Sequence, residues 1–454
     1  MSALPPLRIE SLAHGGDGVA TLPSGRKVFV PGTAPGDLVE IAPPEERGQH
    51  ARSTLLRVIE PSPVRVEAAC PHAARCGGCQ LQHVAIEAQR AAKEEAFYAA
   101  LERIGGLARS AIGDPRPIVA SPASFGYRIR CRLHVRGGRV GYLRRGSHEL
   151  EAISTCGLLA PELERLALAV AAAVERRPIR GLQDVDVCVG ADRKGAIALH
   201  PDPRAPAGWA EKAPRTFEGI EGLQGMVVLP PPAAPAAKGR RAPPPGMGGP
   251  APRIYGDPVV ARPAPLAEGV ALLGRPDVFA QANAAGNEAL VRAAIDGLAL
   301  RGDEQVLELF CGAGNFTFGL AARSAHVTAV ELEGASLDLA RRAAARARVE
   351  GVRFVAADAA RVVEDFAREG RRFDACLLDP PRSGAKGVAE ALGRLGPRRI
   401  AYVSCDPATL ARDLAALRSA GYEARIAVPV DMFPQTFHVE GVVILERPTW
   451  KHAS

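Results

Sequence analysis

The sequence predicts an α/β protein whose C-terminal part is a parallel, doubly wound sheet, preceded by a small β-barrel and a central mixed α and β region. Three observations carry that prediction. From about residue 271, apolar strands alternate with Ala/Arg-rich helices: "QVLELF" with "FTFGLAAR", "HVTAVEL" with "ASLDLARRAAARARV", "VRFVAA" with "AARVVEDFARE", and "FDACLLD" with a further helix. Such alternation builds a parallel sheet whose ligands sit at the carboxyl ends of the strands. Residues 1–60 instead hold short alternating runs broken by glycine, as in "RKVFVPGTAPGDLVEIAPP", which reads as a barrel. Finally, 454 residues exceed one ordinary core, and the composition shifts put domains at 1–60, 61–270 and 271–454.

Bulk properties narrow the function. No apolar run reaches the roughly 18 residues a membrane span needs. The opening "MSALPPLRIE" lacks the order of a signal peptide, so a cytoplasmic protein with no membrane partner is expected. In a reducing compartment, nine cysteines point to metal ligation or catalysis rather than to disulfides. A net charge of +7 permits an anionic partner without requiring one. The stretch "LPPPAAPAAKGRRAPPPGMGGPAP" (229–252) is too rich in Pro, Gly and Ala to bury a core and reads as a flexible surface insertion. At the C-terminus, "YEARIAVPV" and "VEGVVILER" follow one another without a helix, so one of these strands is expected to run antiparallel.

The first strand of the sheet ends in "LELFCGAGNF", where Gly312 and Gly314 let the backbone turn tightly and approach a ligand. A dinucleotide fingerprint would place its third glycine at Thr317, which counts against a nicotinamide cofactor. Glu331, ending the second strand, suits both hydroxyls of a ribose. Asp358, ending the third, suits an adenine amino group. Acids at these successive strand ends point to S-adenosylmethionine, although an acid at such a position is also a helix N-cap residue. After the fourth strand comes "LLDPPRSG", with Arg382 where a methyltransferase acting on exocyclic amino groups would carry an aromatic ring.

The fifth strand ends in "YVSCDPATLARDL". Cys405 sits on the same rim as the methyl donor, before a helix whose partly positive start favours thiolate. "FHVEGVVIL" adds Glu440 within an otherwise apolar strand, an expensive place for a carboxylate without a use. Thiolate, carboxylate and sulfonium methyl together suit methylation of carbon 5 of uracil. Sulfur addition at carbon 6 makes carbon 5 nucleophilic, and the carboxylate then removes the proton from carbon 5.

"VLELFCGAGNFT", "DPPRSG", "YVSCDPATLARDL" and "FHVEGVVIL", in this order, resemble the RNA uracil-5-methyltransferases, and the likeness covers nearly the whole chain. The resemblance implies a class I S-adenosylmethionine-dependent methyltransferase fold, with Cys405 as nucleophile and Glu440 as base. It also implies that Gln281, Phe310, Asn315, Glu331, Asp358 and Asp379 line the S-adenosylmethionine site. The barrel resembles a TRAM domain, an OB-like RNA-binding module.

Four further cysteines belong together. "CPHAARCGGCQLQH" spaces Cys70, Cys76 and Cys79 as C-x5-C-x2-C, and Cys156 in "ISTCGLL" completes a set of four. Spacing alone fits zinc or an iron–sulfur cluster. The resemblance implies a 4Fe–4S cluster in a central α+β iron–sulfur domain. Cys131, Cys188, Cys311 and Cys376 read as packing. In "FGYRIRCRLHVRGG", Arg128, Arg130 and Arg132 share one strand face beside Phe125 and Tyr127, a candidate surface for phosphates and bases. TRAM domain and cluster cysteines together favour 23S rRNA as the partner of a monomeric enzyme. The alternatives are the same chemistry on tRNA, a non-catalytic RNA-binding factor, and an iron–sulfur redox protein.

Overall fold

The computed structural model describes residues 4–232 and 251–448, so residues 233–250 of the Pro-rich insertion lie outside the described residues. At the N-terminus, strands Leu7–Arg8, Leu38–Ile41 and Leu55–Glu60 form one small sheet. Ser11–Leu12, Gly18–Thr21, Lys27–Val30, Glu45–Arg47 and His50–Arg52 form a second. Alternation along each strand sends Leu7, Ala20, Val28, Val30 and Val39 into a common core. The expected barrel is therefore present.

The central region is a seven-stranded sheet covered by the helix Pro161–Arg176, whose Leu163, Leu166, Val170 and Val174 pack on Leu133, Val185 and Val187. It does not hold all of residues 61–270. Helix α1 (Ile86–Arg103) buries Phe97, Tyr98 and Leu101 in the same core as Tyr402, Leu410 and Leu414, far along the chain. Asp114–Pro115 adds a short parallel strand at the edge of the C-terminal sheet. The region from Ile86 to Pro115 thus packs with the C-terminal sheet rather than with the central one.

The C-terminal sheet contains β1 (Gln305–Leu309), β2 (His326–Glu331), β3 (Val352–Ala356), β4 (Ala375–Leu378), β5 (Arg399–Ser404), β6 (Glu423–Val430) and β7 (Glu440–Glu446). Its order is β3-β2-β1-β4-β5-β7-β6. β1 to β5 are parallel, and β7 is antiparallel to both β5 and β6. The strand expected to reverse does so, and inserts between β5 and β6. Helices α2 (Ala359–Arg368) and α3 (Pro407–Ser419) follow β3 and β5. All five parallel strands end on one rim, where chain reversal frees backbone groups for a ligand. Among the described residues, no helix is long and apolar enough to cross a membrane.

Candidate active site

β5 and β7 pair with Ser404 opposite Gly441. Extending that register by one residue sets Cys405 opposite Glu440, so an antiparallel pair brings together two residues 35 positions apart. Glu440 is 4% exposed, and burial pushes its carboxyl up to about 8, with the charge of Asp379 adding to the rise and Arg382 opposing it. Cys405 is half-buried. Burial first, then the negative charge of Glu440, push its thiol up to about 11, while Arg382 opposes the rise by charge and by a hydrogen bond.

Asp406 caps α3, its carboxylate accepting hydrogen bonds from the backbone N–H groups of Ala408 and Thr409, both 2.9 Å. Arg382 is the cation beside the thiol. Its position directly after "DPP" was the available signal.

The rest of the rim forms around the glycine turn after β1. Gly312 and Gly314 have φ of +55° and +94°, and a Cβ on Gly314 would lie 2.7 Å from the Phe318 ring. Phe310 also has a positive φ, 61°, where a non-glycine residue is strained. Glu331 accepts from Gly312 N at 3.0 Å and from Glu333 N at 2.7 Å, which fixes its carboxylate beside the turn. Asn315 exchanges two side-chain hydrogen bonds with Asn287, 2.7 and 2.9 Å. Asp379 follows β4, and burial pushes its carboxyl up to about 7. Gln281 precedes helix Ala284–Leu298 and is half-buried. Asp358 caps α2 by accepting from Arg361 N at 3.0 Å, so the N-cap reading of that acid holds, and its exposed carboxylate keeps further lone pairs free.

Cys70, Cys76, Cys79 and Cys156 are all partly exposed free thiols, whereas Cys131, Cys188, Cys311 and Cys376 are buried as packing residues. The first group shares one neighbourhood. Burial first, and neighbouring thiolates after it, raise Cys76 and Cys156, and push Cys79 up to about 12. Among the described residues, no group of three His, Cys, Asp or Glu side chains converges closely enough to hold a metal ion as it stands. Gly78 N–H points at Cys76 Sγ, 3.4 Å. The half-buried Arg128 stands near Cys79 and Cys156, and its Nε has no hydrogen-bond partner.

The arginines of the stripe have partners within the protein, while Arg132 and Phe125 stay exposed. Arg130 donates to the carbonyls of Pro276, Val278 and Ala280, and Arg132 forms a two-bond pair with Asp186. Arg128 is half-buried and Tyr127 buried, and Tyr127 OH donates to Pro434 O. Alternation along this strand does separate its faces, with Cys131, Leu133 and Val135 buried and the basic side chains on the open face. Basic groups gather elsewhere as well. A cavity of about 750 Å³ between barrel and cysteine loop is lined by Arg47, Arg52, Arg144 and Arg145, with the rings of Phe29 and Phe437. Phe437 lies three residues before Glu440. No single stretch signals this cavity, because its walls come from separate segments.

Comparison with known proteins follows this geometry. The tRNA (Uracil-5-)-methyltransferase family matches residues 274–448, and the TRAM domain matches residues 6–55. A 23S rRNA (uracil(1939)-C(5))-methyltransferase of Pectobacterium atrosepticum is 34% identical, with 97% of this chain and 93% of that protein covered. An uncharacterized RNA methyltransferase of Thermosynechococcus vestitus is 36% identical, with 97% of each covered. Among solved structures, a Pyrococcus abyssi tRNA (uracil-54, C5)-methyltransferase in complex with S-adenosyl-L-homocysteine is similar in fold, with a TM-score of 0.73 and 23% identity. That match covers 97% of this chain and 99% of the other.

Proposed function

The chain belongs to the RNA uracil-5-methyltransferases, with a relative 34% identical across 97% of it, and from that membership we propose that it methylates carbon 5 of one uridine in 23S rRNA. The single observation that carries the mechanism is the pairing of β5 and β7 as far as Ser404 and Gly441, which leaves Cys405 and Glu440 at adjoining strand ends, where the charge of Glu440 acts on the thiol. In this reading Cys405 Sγ adds to carbon 6 of the uracil, with Arg382 beside it to favour the thiolate. Carbon 5 thereby becomes nucleophilic and takes the methyl group. Glu440 removes the proton left on carbon 5, and elimination across the ring releases Cys405.

S-adenosylmethionine would supply an electrophilic methyl carbon on a sulfonium sulfur, which leaves as a neutral thioether. The residues present fit it: a glycine turn with positive φ at Gly312 and Gly314, and the Glu331 carboxylate fixed by two backbone donors with lone pairs to spare for ribose hydroxyls. Gln281, Phe310, Asn315, Asp358 and Asp379 complete the cradle in this reading. The basic cavity beside Phe437 offers the RNA strand a route from the TRAM domain to the uracil site. The enzyme acts as a cytoplasmic monomer.

Cys70, Cys76, Cys79 and Cys156 hold a 4Fe–4S cluster in the same reading. What supports it is the donor set: four free thiols in one neighbourhood, a backbone N–H aimed at one sulfur, and the orphaned Arg128 Nε beside two of them. Iron would absorb the thiolate charge that otherwise raises these groups.

The test is methyl transfer in vitro from labelled S-adenosylmethionine to 23S rRNA and to tRNA transcripts, mapped by mass. One new 5-methyluridine in 23S rRNA, absent with Cys405→Ala, is the expected result. Methylation of tRNA alone would move the substrate to the other RNA.

A further inference from the structure

The loop between β6 and β7, Asp431–Val439, ends at Glu440 and is gripped from outside itself at four consecutive carbonyls. Asn283 Nδ2 donates to Met432 O at 3.0 Å, Lys93 Nζ to Phe433 O at 3.0 Å, and Tyr127 OH to Pro434 O at 2.9 Å. Gln80 N and Leu81 N, immediately after Cys79, both donate to Gln435 O at 3.1 and 3.0 Å. Lys93 also pairs with Asp431 at 2.5 Å, both side chains being at most 2% exposed.

Gln89 stands at the centre of this grip. It lies on α1 with Lys93 and Phe97 at four-residue spacing, a single helix face, and all three are buried. Phe97 packs against Gly441, where a Cβ would come within 2.2 Å of its ring. A buried face carrying Gln and Lys is costly unless each polar group is matched. Gln89 Oε1 accepts from Gln435 N at 3.0 Å. Its Nε2 donates to Gln435 Oε1 at 3.0 Å, Leu81 O at 2.9 Å and Val84 O at 2.8 Å. The orientation of the amide is forced, because a backbone N–H faces one side and only acceptors face the other. Gln435 itself has φ of 69°, a strained conformation for a non-glycine residue that these bonds hold in place.

We propose that Gln89 is a positioning residue for methyl transfer: through Gln435 it holds the Asp431–Val439 loop, and with it Glu440, where proton removal from carbon 5 requires the carboxylate. The proposal rests on the reading of Glu440 as the base. It also gives the cysteine loop a part in the reaction, since Gln80 and Leu81 are the third side of the same junction.

Gln89→Glu keeps the shape and turns the donor facing three acceptors into a further acceptor. Thiolate addition and methyl transfer need no help from Glu440, so they continue while elimination slows. The expected result is a fall in kcat of about 10- to 100-fold, as for a catalytic group displaced by about 1 Å. The KM for S-adenosylmethionine stays within about twofold. A methylated covalent protein–RNA adduct accumulates on denaturing gels. If the variant does not fold, Gln435→Gly serves, because glycine takes φ of 69° without strain and the change removes the side chain that Gln89 holds while keeping the backbone bond from Gln435 N to Gln89. Turnover at the wild-type rate overturns the proposal, as does slow turnover without adduct when Glu440→Gln traps one in the same assay. Failure of Glu440→Gln to trap an adduct removes Glu440 as base and the positioning role with it.

Discussion

At the scale of single residues, the chemistry turns on how burial sets the charge of Glu440 and Cys405. Glu440, pushed up to about 8 first by burial and then by Asp379, carries its proton at neutral pH. While it is neutral it does not repel a thiolate on Cys405, whose own rise to about 11 comes from burial and then from an ionised Glu440. Arg382 offsets both. The same group must then ionise to take the proton from carbon 5, so single-turnover release of methylated RNA should quicken as pH rises through about 8. Stability runs the other way. Between the ordinary value of 4.5 and about 8 the folded protein keeps a proton on Glu440 that the unfolded chain has lost, so stability falls as pH rises across that window. Thermal melts from pH 5 to 9 should show Glu440→Gln losing less stability than wild type toward the alkaline end. Parallel melting curves at every pH would mean that Glu440 is not held protonated.

At the scale of elements, the cysteine loop joins the barrel side of the molecule to the catalytic loop. In the cluster reading, metal binding there would contribute directly to folding free energy, because a ligand set does not exist in the unfolded chain. Protein purified without oxygen should be brown, with about four irons per chain. Cys79→Ala should lose iron and lower the melting temperature. A colourless preparation with stoichiometric zinc would contradict the cluster. Elements differ in how legible they are in sequence. The strand ends of the C-terminal sheet are legible because each joins an apolar run to a residue that such a run does not need: Gly312, Glu331, Cys405 and Glu440. Helix α1 is not, because its inward face carries Gln89 and Lys93 and so shows no apolar period. On the 130–136 strand the open face of arginines is legible from alternation, but their pairing with Asp186 and with backbone carbonyls is not, because those partners are distant in sequence.

At the scale of the whole molecule, three layers of sequence converge on one rim. The C-terminal sheet supplies the methyl-donor cradle, the strand pair supplies thiol and carboxyl, and the segment from Ile86 to Pro115 crosses over to brace them. This crossing makes the expected boundary at residue 270 a boundary of composition rather than of packing. Barrel residues Phe29, Arg47 and Arg52 and Phe437, from the loop before Glu440, line one cavity. The central claim is that a uracil is bonded to Cys405 during turnover. The most direct measurement is incubation of the protein and S-adenosylmethionine with 23S rRNA carrying 5-fluorouridine, followed by denaturing electrophoresis and mass mapping of the joined peptide. Fluorine cannot leave carbon 5 as a proton does, so a methylated RNA–protein adduct should accumulate, bonded at Cys405 and absent from Cys405→Ala. An adduct at another residue, or none under conditions where unmodified 23S rRNA is methylated, would contradict the account.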